Sequence, residues 1–333
     1  MVSLIHVFLY FLSIYLHDGI VDMRKILSID GGGIRGLIPA LVLAEIEQKT
    51  GKAIAECFDL IAGTSTGGIL ALGFSKHNGN LKPQYSACEL AEIYQNRGNE
   101  IFPHSLWETP LPLGGYTEEL YSHTGLEKIL DEYFGTDPLS TAITKTLITS
   151  YDIQSRESVF LKSWRPEYSS TTMKEAARAT SAAPTYYEPA IVSIDGVTKV
   201  LVDGGVFINS PSVSAYAEAK KLFPEENDFF LLSLGTGELS RPIPYSDAKN
   251  WGKVGWLMPL LGCMFDGMAD ASDYQMKTFL GKNYIRLQTN LTDASDDLDN
   301  VTNSNIKNLI EEAKKLIKIH KSEIEEITQL LIK

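Results

Sequence analysis

The chain has 333 residues, of which 44% are apolar and 22% charged, so it can bury a core and is not a disordered chain. Its 30 Lys plus Arg stand against 42 Asp plus Glu, a formal net charge of -12. That sign argues against a general nucleic-acid binder and against average attraction to an anionic membrane. The cysteines, Cys57, Cys88 and Cys263, lie far apart and outside any CxxC spacing, which disfavours a disulfide framework or a Cys-rich zinc site and favours a reducing compartment.

Residues 2–16 form an apolar run, short of the roughly 20 residues of a bilayer span. No Lys or Arg precedes it and no small-x-small cleavage site follows, so residues 1–22 read as an N-terminal extension without a catalytic role. Met23 would then be a natural start. A weak membrane anchor through residues 2–16 is the alternative. A cytoplasmic protein, soluble or peripheral to a membrane, is expected.

Two strand–turn–helix units follow. Lys25–Ile29 is a short apolar strand ending in Asp30 and three glycines, and apolar spacing predicts a helix over Leu37–Lys49, stopped at Gly51. Phe58–Ala62 is a second strand ending in Gly63, with a helix continuing over Ile69–Phe74. This alternation predicts a parallel sheet covered by helices. Helical spacing recurs at Cys88–Gln95 and Thr124–Phe134, and residues 103–116 form a Pro- and Gly-rich loop. Strands are expected at Thr146–Tyr151, Ser158–Lys162, Val200–Val202 and Phe229–Leu234, with Asp195-Gly196 as a hairpin turn. Residues 303–332 predict one long amphipathic helix.

Three motifs can carry chemistry. Gly63-Thr64-Ser65-Thr66-Gly67 is a GxSxG sequence between a strand and a helix, the setting of a nucleophilic serine on a sharp turn. Gly31, Gly33 and Gly36 match a dinucleotide fingerprint, but the second strand's tip, Ala62-Gly63, lacks the acid that would hold a ribose. The alternative use of Gly31, Gly32 and Gly33 is an oxyanion cup of backbone N–H groups. Arg35 either adds charge there or fixes the loop through Asp30. For the base, none of the six histidines (His6, His17, His77, His104, His123 and His320) follows a strand beside glycines. Asp203 does, ahead of Gly204-Gly205, and a Ser-Asp dyad is the economical inference.

Together, DGGGIRG at 30–36, GTSTGG at 63–68 and DGG at 203–205 resemble the patatin-like phospholipases. The resemblance extends over roughly residues 25 to 240 and includes the segments at 179–184 and 233–237. It implies a three-layer α/β/α sandwich with a mainly parallel central sheet, and an acyl hydrolase acting on lipid esters. By motif, it makes Ser65 the nucleophile, Asp203 the base and Gly31, Gly32 and Gly33 the oxyanion loop, with Arg35, Gly36, Gly63, Gly67, Gly204 and Gly205 in support.

The expected organisation is the extension at 1–22, a catalytic core over 24–240 and a C-terminal extension over 241–333 packed on the core. Trp251 to Phe265 is the most apolar stretch outside the strands and reads either as an interfacial patch or acyl-channel wall, or as a helix buried against the sheet. The loop from Phe102 to Leu113, with Trp107, is a second rim or lid candidate. No cofactor is expected, and no metal: Asp293, Asp296, Asp297 and Asp299 lack the glycine and terminal Glu of a calcium loop. The expected partner is membrane or micellar lipid substrate. A dinucleotide-binding oxidoreductase and a nonenzymatic lipid-binding module are the competing functions.

Overall fold

A computed structural model describes residues 23–102, 124–238 and 242–333. The N-terminal extension at 1–22, with its alternative reading as a weak anchor, and residues 103–113 of the lid candidate lie outside the described residues. Eight strands form one sheet: β1 (Arg24–Ile29), β2 (Leu60–Gly63), β3 (Lys145–Asp152), β4 (Glu157–Lys162), β5 (Ala190–Ile194), β6 (Val197–Asp203), β7 (Phe229–Leu234) and β8 (Tyr284–Leu287). Their order is β5-β6-β3-β2-β1-β7-β8, with β4 also on β3. The run from β3 to β8 is parallel, while β4, β5 and β6 pair antiparallel.

The central strands are apolar on both faces, as a sheet covered twice requires. Leu27, Ile29, Ile61, Ile148, Phe230 and Leu232 point into one core. Their alternates Ile26, Leu60, Ala62, Leu147, Phe229 and Leu231 point into the other. The first core is closed by α1 (Leu37–Thr50), α2 (Thr66–Ser75), α3 (Ala87–Ile101), α4 (Thr124–Phe134) and α5 (Met173–Thr180). The second is closed by α6 (Ser212–Leu222) and α7 (Lys253–Leu280). This is the three-layer α/β/α sandwich that the sequence predicts.

Several local expectations hold. α1 ends on Gly51 in the left-handed conformation, whose N–H caps the Glu47 carbonyl. The β5–β6 turn places Asp195 and Gly196 at positive φ, the geometry of a tight hairpin. Two differences matter. The predicted C-terminal helix is interrupted at His320, giving α8 (Asn303–Ile319) and α9 (Lys321–Ile332). Both halves keep the apolar stripe, burying Leu309 and Leu316, then Ile324 and Ile327, in the first core. The second difference is β8, a four-residue strand with two half-buried positions. It is too short to show a period in sequence, yet it extends the parallel sheet beside β7.

The sheet's register creates the site. β4 occupies one edge of β3 over residues 147–152, and β2 occupies the other edge only up to the Gly63–Ile148 pair. Past the end of β2, that second edge is free for Ser150 to Asp152. β6 fills it in the opposite direction and brings Asp203 beside Ser150. The ends of β2 and β6 therefore meet head to head.

Candidate active site

Ser65 stands two residues past β2, at the N-cap of α2, with φ 55 and ψ -125. A non-glycine residue in this region is strained and survives only where its surroundings dictate it. Here the surroundings are backbone. A Cβ on Gly63 would strike the Gly67 carbonyl, and one on Gly67 would strike the carbonyls of Ile29 and Asp30. The two glycines of GxSxG thus allow the elbow to close on itself and on the end of β1. The Ser65 N–H donates to Thr180 Oγ1 at 2.8 Å, anchoring the elbow to the end of α5.

Asp203 ends β6 and is almost completely buried. The Gly205 N–H donates to its Oδ1 at 2.7 Å. Burial pushes the carboxyl up to about 7, against the opposing pull of hydrogen bonding from the Ser65 hydroxyl and the Gly205 N–H. The structure therefore brings the two side chains together. Among the described residues lining the cavity around them, no histidine is present. Gly204 is required by packing, since a Cβ there would strike Thr149 on β3.

The glycine loop lines the same cavity through Gly32 and Gly33. The Gly31 N–H is already committed to the Asn209 carbonyl at 3.1 Å. Of the two roles open to Arg35, it does not fix the loop through Asp30. Its Nε donates to the Gly32 carbonyl and its Nη1 to the Gly237 carbonyl, each at 3.3 Å. Asp30 instead pairs with Arg286 of β8, Oδ2 to Nη2 at 2.8 Å, both groups buried. Burial works against the Arg286 charge, but Asp30 outweighs it and holds the guanidinium above its ordinary value.

Other distant residues complete the clamp. Thr236 Oγ1 donates to the Gly31 carbonyl at 2.7 Å, and the Ile34 N–H donates to the Leu298 carbonyl at 2.8 Å. Gly33 has φ 56, and a side chain there would strike Leu298. Gly33 is thus held against Leu298, and the loop opens on the cavity that contains Ser65 and Asp203. Thr180 and Thr236 lie in the segments 179–184 and 233–237 that share in the resemblance, without a role assigned there, whereas Arg286 and Leu298 carry no motif of their own. Only contacts reveal Arg286 and Leu298.

The cavity of about 60 Å³ at Ser65 has walls of Ile69, Phe102, Leu126, Tyr187, Phe265 and Leu298. A wider cleft of about 770 Å³ opens outward from Asp203 and Phe265. Such walls suit an acyl chain. Gly33, Asp203 and Phe265 come from far-apart parts of the chain. Among the described residues, no group of three or more His, Cys, Asp or Glu is arranged to hold a metal.

The sequence of residues 27–216 matches the model of the patatin-like phospholipase family. The chain belongs to that family. Patatin-like protein 2 of Oryza sativa subsp. indica is 30% identical over 334 aligned positions, which take in 87% of this chain and 82% of that one. Patatin group M-3 of Solanum tuberosum is 30% identical, covering 89% and 84%. The potato protein named Probable inactive patatin-3-Kuras 1 is 31% identical, covering 91% and 88%. Among solved structures, human GIVD cytosolic phospholipase A2 aligns with a TM-score of 0.48 at 12% identity, covering 94% of this chain and 60% of that one. As a member of the patatin-like phospholipases, the protein is a lipid acyl hydrolase. No described helix is long and apolar enough to cross a membrane.

Proposed function

We propose that this hydrolase cleaves carboxylic esters of lipids through a Ser65–Asp203 dyad and an acyl-enzyme. One observation carries the reading: a serine held at positive φ on a strand–helix elbow faces a buried carboxyl whose proton affinity is raised to about 7. A carboxyl at its ordinary value would be too weak a base. Raised to about 7, it is matched to proton transfer near neutral pH.

Asp203 takes the hydroxyl proton as Ser65 Oγ attacks the ester carbonyl. The tetrahedral intermediate collapses, the C–O bond breaks, and the leaving alkoxide receives that proton from Asp203. Water then attacks the acyl-enzyme, Asp203 takes the water's proton and returns it to Ser65 Oγ as the acid departs. The oxyanion donors in this scheme are the N–H groups of Gly32 and Gly33, with Gly31 as a structural anchor. The Thr66 N–H, next after the nucleophile and at the start of α2, is a further candidate. Each such donor is worth roughly 3–4 kcal/mol of barrier.

The test is Ser65→Ala and Asp203→Asn assayed on a phospholipid and a short-chain ester, with fluorophosphonate labelling of each. Both should lose activity by about 10⁴-fold or more, by analogy with other serine hydrolases, and Ser65→Ala should also lose the label. A labelled serine other than Ser65, or a mild loss in Asp203→Asn, would remove the dyad. Because a relative is named as inactive, a folded wild-type chain with neither turnover nor label would favour a nonenzymatic lipid-binding role.

A further inference from the structure

The long helix α7 has two roles along its length. Its C-terminal half is seated in the molecule: Met276 is fully buried in the second core, and Ser272 Oγ reaches the Ser210 carbonyl. Its N-terminal half stands at the mouth of the outer cleft, with Pro259, Cys263 and Phe265 forming part of the wall. On the same stretch, Trp256, Leu260 and Met264 are 38, 47 and 38% exposed. Spaced four apart, they share one helix face.

This face runs on beyond the helix. Trp251, which lines the cleft, meets Trp256 edge to face with ring centroids 5.2 Å apart. Ile243 is exposed and also lines the cleft, and neighbouring Tyr245 is 81% exposed. The apolar surface is therefore continuous with the route to Ser65. The cleft wall also carries Asp266 of α7, Asp296 and Asp297, disposed around Arg35, the one cation among its described lining residues.

We propose that Ile243, Tyr245, Trp251, Trp256, Leu260 and Met264 form the face by which the enzyme docks on a lipid surface, and that this surface carries neutral or zwitterionic headgroups. The apolar stripe enters the interface and sets the cleft mouth against it, so that a lipid passes from its layer to Ser65 without crossing water. The occupant follows from position and charge. The substrate is a lipid, the face rims the opening that substrate must use, and the carboxylates beside it repel an anionic headgroup plane. Indole and phenol rings suit the boundary between headgroups and acyl chains.

The inference rests on the lipid acyl hydrolase activity, not on the assignment of the dyad. It is tested with the whole chain and vesicles of phosphatidylcholine or phosphatidylglycerol, measured by flotation and by hydrolysis, beside a water-soluble short-chain ester. Leu260→Asp and Met264→Asp should each lower phosphatidylcholine binding and vesicle hydrolysis about tenfold, as expected for a half-exposed apolar side chain replaced by a charge, while the soluble ester is turned over within twofold of wild type. Tyr274→Asp, on the other half of α7 and 75% exposed, should change neither. Binding should be weaker to phosphatidylglycerol than to phosphatidylcholine.

Unchanged vesicle binding in both Asp variants would overturn the proposal, as would preferential binding to phosphatidylglycerol. A parallel loss on both substrates would mean that the face serves catalysis or folding instead. A dimer in solution that either Asp substitution dissolves would assign the face to a second copy. Failure of the hydrolase reading is distinct: the soluble ester is then untouched by the wild type while vesicle binding persists through this face, whereas a misassigned dyad leaves both wild-type activities in place.

Discussion

The two loops that meet at the active site are built on opposite principles. The glycines of the elbow from Gly63 to Gly67 pack on backbone, that of the elbow itself and of the end of β1, with side-chain anchors added at Ser65 by Thr180 and at Thr64 by Thr149. The loop from Gly31 to Gly33 is held from outside, by Asn209, Thr236, Leu298 and the Asp30–Arg286 pair. The first is a motif in the full sense, legible from spacing. The second has an equally legible sequence, but its shape is imposed by residues some two hundred positions away. A substitution at Gly67, which faces backbone, should therefore have no side-chain remedy, whereas one at Gly32, which faces the Thr236 side chain, should be partly rescued there.

The largest effect expected is at the elbow. Gly67→Ala places a methyl group against the carbonyls of Ile29 and Asp30. It should cost about 4 kcal/mol or more, at the exceptional end for a point substitution, seen as insolubility or a collapsed denaturation midpoint. Gly32→Ala instead meets the Thr236 side chain. Its loss should be partly recovered in Gly32→Ala with Thr236→Gly, with a coupling of about 1 kcal/mol or more in a double-mutant cycle. Equal rescue of both glycine variants by side-chain changes would erase the contrast between the loops.

The next effect is electrostatic. Arg286→Gln leaves Asp30 buried without its cation and should cost about 3–5 kcal/mol. Adding Asp30→Asn should return much of that stability, measured by chemical denaturation. The same single variant should lower kcat on a short-chain ester about tenfold or more with KM little changed, because the loop rather than the substrate pocket is disturbed. A stability loss with normal kcat would limit Arg286 to a structural role.

The smallest effect is set by Asp203. Its proton affinity is raised on folding to about 7. As a base it works when ionised, so kcat/KM should fall as pH drops through about 7. Stability runs the other way. The folded state holds this proton more tightly than the unfolded state, so the gain is full below about pH 4 and is lost as pH rises through about 7. Above that, the wild type carries a buried charge. Asp203→Asn should therefore unfold several degrees higher than wild type at pH 8 while being inactive, and the gap should shrink at pH 5. A variant that is less stable at pH 8 would show that burial is not what raises this carboxyl.

The three motifs, the glycine turns and the strand pattern were readable in sequence because each rests on local rules. A strand covered on both faces is apolar throughout, an elbow needs glycines at fixed offsets, and a tight hairpin takes Asp-Gly. Tertiary structure alone decided how these pieces meet. β2 stops early enough for β6 to enter the same edge of β3, which carries Asp203 to Ser65. Arg286, rather than Arg35, neutralises Asp30. Lys253 to Phe265 is the first half of a helix whose other half is seated in the core, with Phe265 in the wall of the Ser65 cavity and Trp256, Leu260 and Met264 exposed. Local sequence cannot settle such matters. A buried carboxylate needs some cation and a free strand edge needs some partner, but which one supplies it depends on distances in the folded chain.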